Sequence, residues 1–174
     1  FLFIVFSCQE KQNVRVYKIK KAKPNNVSEE PIKSKAKPKF EWVVPENWEE
    51  VAGHSIRIGS FKLPGNGDLS VTSFSGSSGG IKANVNRWES QIGLAPSTLD
   101  MIKQISEDRI SRLGRYQIFE LKNEKNQDLS ILAAIFPLQE ITLFVKLAIN
   151  PKSMNQHRYD FVEFCDSIKY SSNG

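Results

Sequence analysis

The sequence predicts an α+β domain, an antiparallel sheet of about five to six strands flanked by about three helices and preceded by a disordered tether. Three observations carry this reading. "RYQIFELK", "LSILAAIF" and "ITLFVKLAI" are strand-like apolar runs separated by short polar connections, which suit antiparallel pairing and leave no room for parallel crossovers. "SIRIGSFKL" and "DLSVTSFS" flank "PGNGD", a turn with the glycines that a hairpin demands. Three further stretches place apolar residues at helical spacing.

The 174 residues suit one domain with appendages, and eleven phenylalanines can build a real core. Residues 1–8 read as a truncated secretory signal, because Phe1 to Ser7 are almost all apolar yet far fewer than the ~20 that span a membrane. "VFSC" resembles a bacterial lipobox, which makes Cys8 the expected lipidation site. The remaining cysteine is Cys165, so no disulfide framework competes for Cys8.

Residues 9–39 are rich in Lys, Asn, Ser and Pro and read as a flexible basic linker. Such a tether would hold the domain on the order of 30 Å from its anchor. Within it, "NVRVYKI" alternates like an edge strand but is expected to be extended and mobile. The net charge of +5 belongs to this segment: residues 1–39 hold ten basic residues against three acids, and residues 40–174 hold fourteen against sixteen. A basic stripe interleaved with aromatics is missing from residues 40–174, so nucleic acid is not expected as a partner.

The globular domain is placed at residues 40–174. "FEWVVPENWEEV" offers a short strand from Trp42 to Val44 and an acidic turn around Trp48. In the hairpin, Ile56 and Ile58, then Phe61 and Leu63 after a break at Gly59 and Ser60, are expected inside, opposite Leu69 and Val71. Residues 82–92 follow as a helix with Val85, Trp88 and Ile92 on one face. "APSTLDMIKQISEDRISRL" reads as a second amphipathic helix capped by Ser97 or Thr98, with Leu99, Ile102, Ile105, Ile110 and Leu113 inward. After the three strands, "SMNQHRYDFVEFCDSIKY" reads as a helix that groups Phe161, Phe164, Cys165 and Ile168.

The candidate site is the stretch "GGIKANVNRWESQIGL", residues 79–94. It lacks the "GK[ST]" ending of a phosphate-binding P-loop and the spacing of a dinucleotide fingerprint. It does set Asn84, Arg87 and Gln91 along one flank of the helix beside Trp88. Either these side chains form a small polar binding site, or they fasten the glycine loop and the neighbouring strand; the fastening reading is preferred, since buried polar groups need partners.

The series "PENW", "RIGSFKLP", "GDLSVTSFSGSSGG" and "NVNRWESQIGL" resembles a family of exported bacterial lipoproteins in which such a helix begins "NVNRW.GQ". Glu89 and Ser90 stand where many relatives have Arg and Gly. The chain pattern is also similar to the Mog1/PsbP-like arrangement, an α/β/α sandwich. This resemblance implies a fold, export to the cell envelope on its periplasmic or outer-membrane side, and a role in binding or assembly.

No catalytic residue, metal site or cofactor is expected. Cys165 reads as a core residue, His157 as partly exposed on a helix, and His54 as a strand start without a supporting motif. Two functions follow. The first is a membrane-tethered, non-catalytic module for an envelope protein partner. The second is a small-ligand binding domain, or weak enzyme, that uses Asn84, Arg87, Trp88 and Gln91. A concave pocket lined by those residues would favour the second.

Overall fold

The computed structural model describes residues 39–53 and 56–171. Cys8 and its lipidation, the linker before Lys39, "NVRVYKI" and His54 lie outside the described residues. In chain order the elements are strands β1 (Phe40–Glu41), β2 (Glu49–Glu50), β3 (Arg57–Leu63) and β4 (Gly67–Ser75), then helices α1 (Gly80–Gln91) and α2 (Leu99–Ile105). Strands β5 (Ser106–Ser111), β6 (Gly114–Asn123), β7 (Asn126–Pro137) and β8 (Ile141–Ile149) follow, before helix α3 (Pro151–Ser167) and strand β9 (Lys169–Tyr170).

Among the described residues, seven strands form one sheet in the order β2, β3, β4, β8, β7, β6, β5, and each neighbouring pair is antiparallel. Period-two alternation splits its apolar residues between two layers. On one face Leu69, Val71, Leu132, Phe136, Leu143 and Val145 pack with Phe161, Phe164 and Cys165 of α3. On the other, Ile131, Ala133, Ile135 and Phe144 pack with Val85, Trp88 and Ile92 at α1 and with Ile102 of α2. The fold is therefore the expected sheet between helices, with β2 and β5 extending it beyond six strands.

The hairpin has the chemistry its sequence announces. Gly65 and Asn66 both take positive φ, 76° and 59°, between the paired ends Leu63 and Gly67. The break at Gly59 is a β-bulge: the register shifts between Arg57 and Gly59, and a Cβ on Gly59 would lie 2.8 Å from the Trp42 ring. Ile56 and Ile58, expected inside, are exposed: Ile58 sits at the bulge without a register partner and Ile56 precedes the strand, while Phe61 and Leu63 are buried as expected. Trp42 to Val44 form no strand; β1 precedes them and pairs with β9.

The second helix is the largest departure. Thr98 caps it, accepting from the Met101 amide, but it ends at Ile105 and the chain continues as β5. Ile102 is buried, whereas Leu99, Ile105 and Ile110 are exposed. The cause is a strand whose inward side is charged: Arg109 donates to Glu107 at 2.9 Å and to Asp166 of α3 at 3.3 Å, and Arg158 of α3 also pairs with Glu107. An apolar alternation was absent because ion pairs, not burial of carbon, join β5 to α3. His157 is likewise buried rather than partly exposed, its Nε2 lying 3.0 Å from the carbonyl of Pro64.

Candidate functional site

Helix α1 starts without a side-chain cap. Ser78, Gly79 and Gly80 all take positive φ, and at the last two, 85° and 72°, glycine meets that backbone without strain. Buried Asn84 holds this turn from inside the helix, its Nδ2 donating to the carbonyls of Ser78 at 2.9 Å and Gly80 at 2.7 Å. The far end closes as a Schellman motif: Gly93 has φ 76°, its amide bonds to Ser90 O, and the Leu94 amide bonds to Glu89 O. Asn123 of β6 adds a bond to the Ile92 carbonyl at 2.8 Å. "GG" and "IGL" are therefore the two stops of one helix.

Glu89 belongs to the same fastening. Its buried carboxylate accepts from the Ser97 amide at 2.9 Å and the Ser97 hydroxyl at 2.5 Å, which ties α1 to the segment entering α2. Ser97, one of the two residues expected to cap α2, serves this tie, and Thr98 is the cap. Arg87, expected to grip the loop, does not reach it; it is exposed and bonds to Asn84 Oδ1.

Arg87, Trp88 and Gln91 instead line an open groove of about 250 Å³ between α1 and the sheet. Asn84 does not line the groove; its amide nitrogen is spent on the glycine turn. The other wall is supplied by strand register: Arg57 pairs with Thr72 across β3 and β4, and Ser70 pairs with Lys146, and Thr72 with Phe144, across β4 and β8. Phe144 stands edge-on to both Trp88 and Phe74, at centroid distances of 6.2 and 6.0 Å. The groove thus has an aromatic floor and a cationic rim of Arg57, Arg87 and Lys146.

The three cations are held differently. Arg57 grips Asp68 with both terminal guanidinium nitrogens, at 2.8 and 3.2 Å, and this fork, helped by Lys62, keeps the Asp68 carboxyl below its ordinary range. Lys146 donates to Gln91 Oε1 at 3.1 Å. Burial pushes its pKa down, and the positive charges of Arg57 and Arg87 add to that against the opposing pull of Asp68. Among the described residues, no ion pair joins a carboxylate to Arg87 or Lys146.

Sequence reasoning missed Arg57, Phe74, Phe144 and Lys146. One signal was available: Lys146 is the single charge in the apolar strand "ITLFVKLAI". Elsewhere, Cys165 is fully buried beside Phe164, and burial pushes its thiol up, which disfavours the reactive thiolate. Among the described residues, no cluster of three or more His, Cys, Asp or Glu side chains could hold a metal, and no helix is long and apolar enough to cross a membrane.

No family model matches the chain, and no curated protein does. Solved structures do resemble it. A cyanobacterial PsbP (CyanoP) from Synechocystis is 15% identical over 76% of this chain and 86% of its own, with a TM-score of 0.48. LpqN of Mycobacterium tuberculosis, involved in cell envelope biogenesis, is 12% identical over 77% of this chain and 84% of its own, with a TM-score of 0.45. A protein of Bacteroides thetaiotaomicron is 13% identical over 78% of this chain but 46% of its own, with a TM-score of 0.44. Such likenesses concern the path of the backbone, on which many functions are built.

Proposed function

We propose that this domain is a non-catalytic binding module of the bacterial cell envelope, lipid-anchored at Cys8, and that its ligand sits in the groove between α1 and the sheet. The supporting observation is concavity at the predicted place: Arg87, Trp88 and Gln91 share one groove with Phe144 and Lys146 of β8. An aromatic floor with a few convergent polar groups is the usual make-up of a small-ligand site. The groove is smaller than the ~300–1,000 Å³ of sites that enclose a whole drug-sized ligand, so it receives a head group and leaves the rest outside. The anchor and envelope location rest on "VFSC" and the basic segment that follows it.

Titrating the full chain with a fragment library under amide NMR tests the groove. Shifts concentrated at Phe74, Trp88, Phe144 and Lys146 are expected. Fragments that bind only elsewhere would contradict the reading. Intact-mass measurement after expression with a complete export signal tests the anchor, since an unacylated Cys8 would exclude it.

A protein partner is the second reading, and the α2 to β5 corner favours it. Leu99, Met101, Ile105 and Ile110 are all exposed there, and β5 is an edge strand with β6 as its neighbour in the sheet. An edge strand of this kind can accept a further strand. Crosslinking from a photoreactive residue at Ile110 would identify such a partner, and crosslinks from the groove alone would set this reading aside.

A further inference from the structure

We infer that the group bound in this groove is the dianionic phosphate of an organic phosphomonoester, a specification that rests on the groove being the ligand site. Three cations line it, Arg57, Arg87 and Lys146. Asp68, which stands outside the lining, holds Arg57 through the two-nitrogen fork and also pairs with Lys62, and among the described residues no carboxylate lines the groove. Arg87 and Lys146 are then the two cations of the rim that no ion pair among the described residues joins to a carboxylate. A phosphomonoester carries about −1.5 to −2 at neutral pH with three acceptor oxygens, whereas a carboxylate carries one charge.

The donors suit that load. Arg87 commits one nitrogen to Asn84 and keeps the rest of its planar fork free, and Lys146 is steadied by Gln91 while its ammonium can still donate twice more. Burial first, and then the charges of Arg57 and Arg87, disfavour the protonated form of Lys146, and an anion between the cations relieves their repulsion. Phe74, Trp88 and Phe144 then receive the apolar atoms next to the ester oxygen. The phosphate need not come from a soluble compound, because a lipid with a phosphomonoester head presents the same group.

The test is amide NMR on the full chain, titrated with phenyl phosphate, with dihexanoyl phosphatidic acid below its micelle concentration, and with benzoate and phenol as controls. Reading shifts at groove residues separates specific binding from the general attraction of the basic N-terminal segment. One or both phosphates should shift Trp88, Phe144 and Lys146 with a Kd about tenfold or more below that of benzoate, and Arg87→Gln or Lys146→Gln should each weaken them about tenfold. Tighter binding of phenyl phosphate marks a soluble source, and tighter binding of the short lipid marks a membrane one. Benzoate or phenol binding as tightly as the phosphates overturns the inference while leaving the groove as a ligand site. No response to these probes in a groove that answers the fragment library also overturns it alone; a groove silent to both overturns the inference and the proposed function together.

Discussion

The two faces of the sheet are covered in different ways. On the α3 side, Phe164 is 1% exposed and stands against Trp42, Trp48 and Phe61 at ring distances of 5.9, 5.2 and 5.4 Å, a continuous aromatic seal. On the other side α1 covers β8, β7 and β6, and the neighbouring surface of β4 carries Ser70, Thr72 and Phe74. The closed face stabilises the fold, and the step beside α1 leaves a place for a ligand. One sheet serves both purposes because alternate residues of β4 and β8 point to opposite faces: Val71 and Val145 enter the sealed core, while Ser70 and Lys146 enter the groove.

Large truncations sharpen this contrast most. Phe164→Ala is expected to cost about 3 to 5 kcal/mol by urea denaturation and to leave the groove intact in any folded fraction. Trp88→Ala removes an aromatic that is both core and groove wall, so it should cost about 3 kcal/mol and abolish ligand shifts as well. Equal binding loss in both variants would erase the distinction between the faces.

Asn84→Ala comes next. Its two bonds hold the carbonyls of Ser78 and Gly80, so about 1 to 3 kcal/mol should be lost while Trp88 and Phe144 keep their positions. A neutral result in the same denaturation series would mean that the glycines alone fix the start of α1.

A smaller effect is expected from pH. The Arg57 fork lowers the Asp68 carboxyl below its ordinary value of 3.8, so the pair's stabilisation is complete above that value and fades as pH falls through the lowered one. Asp68→Asn should therefore flatten the acid limb of the stability profile, below the ordinary carboxyl value of 3.8. An unchanged acid slope would show that the fork leaves stability untouched.

The contrast also explains what the sequence discloses. Helix α1 was legible because its signals are local: the glycines at both ends and the i, i+3 and i+7 spacing of Val85, Trp88 and Ile92. The hairpin and the three long strands were legible for the same reason. Strand β5 was not, since its inward residues Glu107 and Arg109 find partners in α3, and charges alternating along "SEDRIS" fit a helix as readily. The groove was half legible. Arg87, Trp88 and Gln91 sit on one helix, whereas Arg57, Phe74, Phe144 and Lys146 reach it through the register of three strands, which no local pattern states.

Arg87→Ala is the smallest change to the fold and the most direct test of the account. Because Arg87 is exposed and bonds to Asn84 rather than to the glycine loop, its loss should move stability by no more than about 0.5 kcal/mol. Measuring urea stability and groove binding on the same preparation separates the two roles this residue was first given. Unchanged stability with lost binding is the predicted result; a loss of 1 kcal/mol or more, about the worth of a buried hydrogen bond, with binding retained would return Arg87 to the loop and contradict the groove as the functional site.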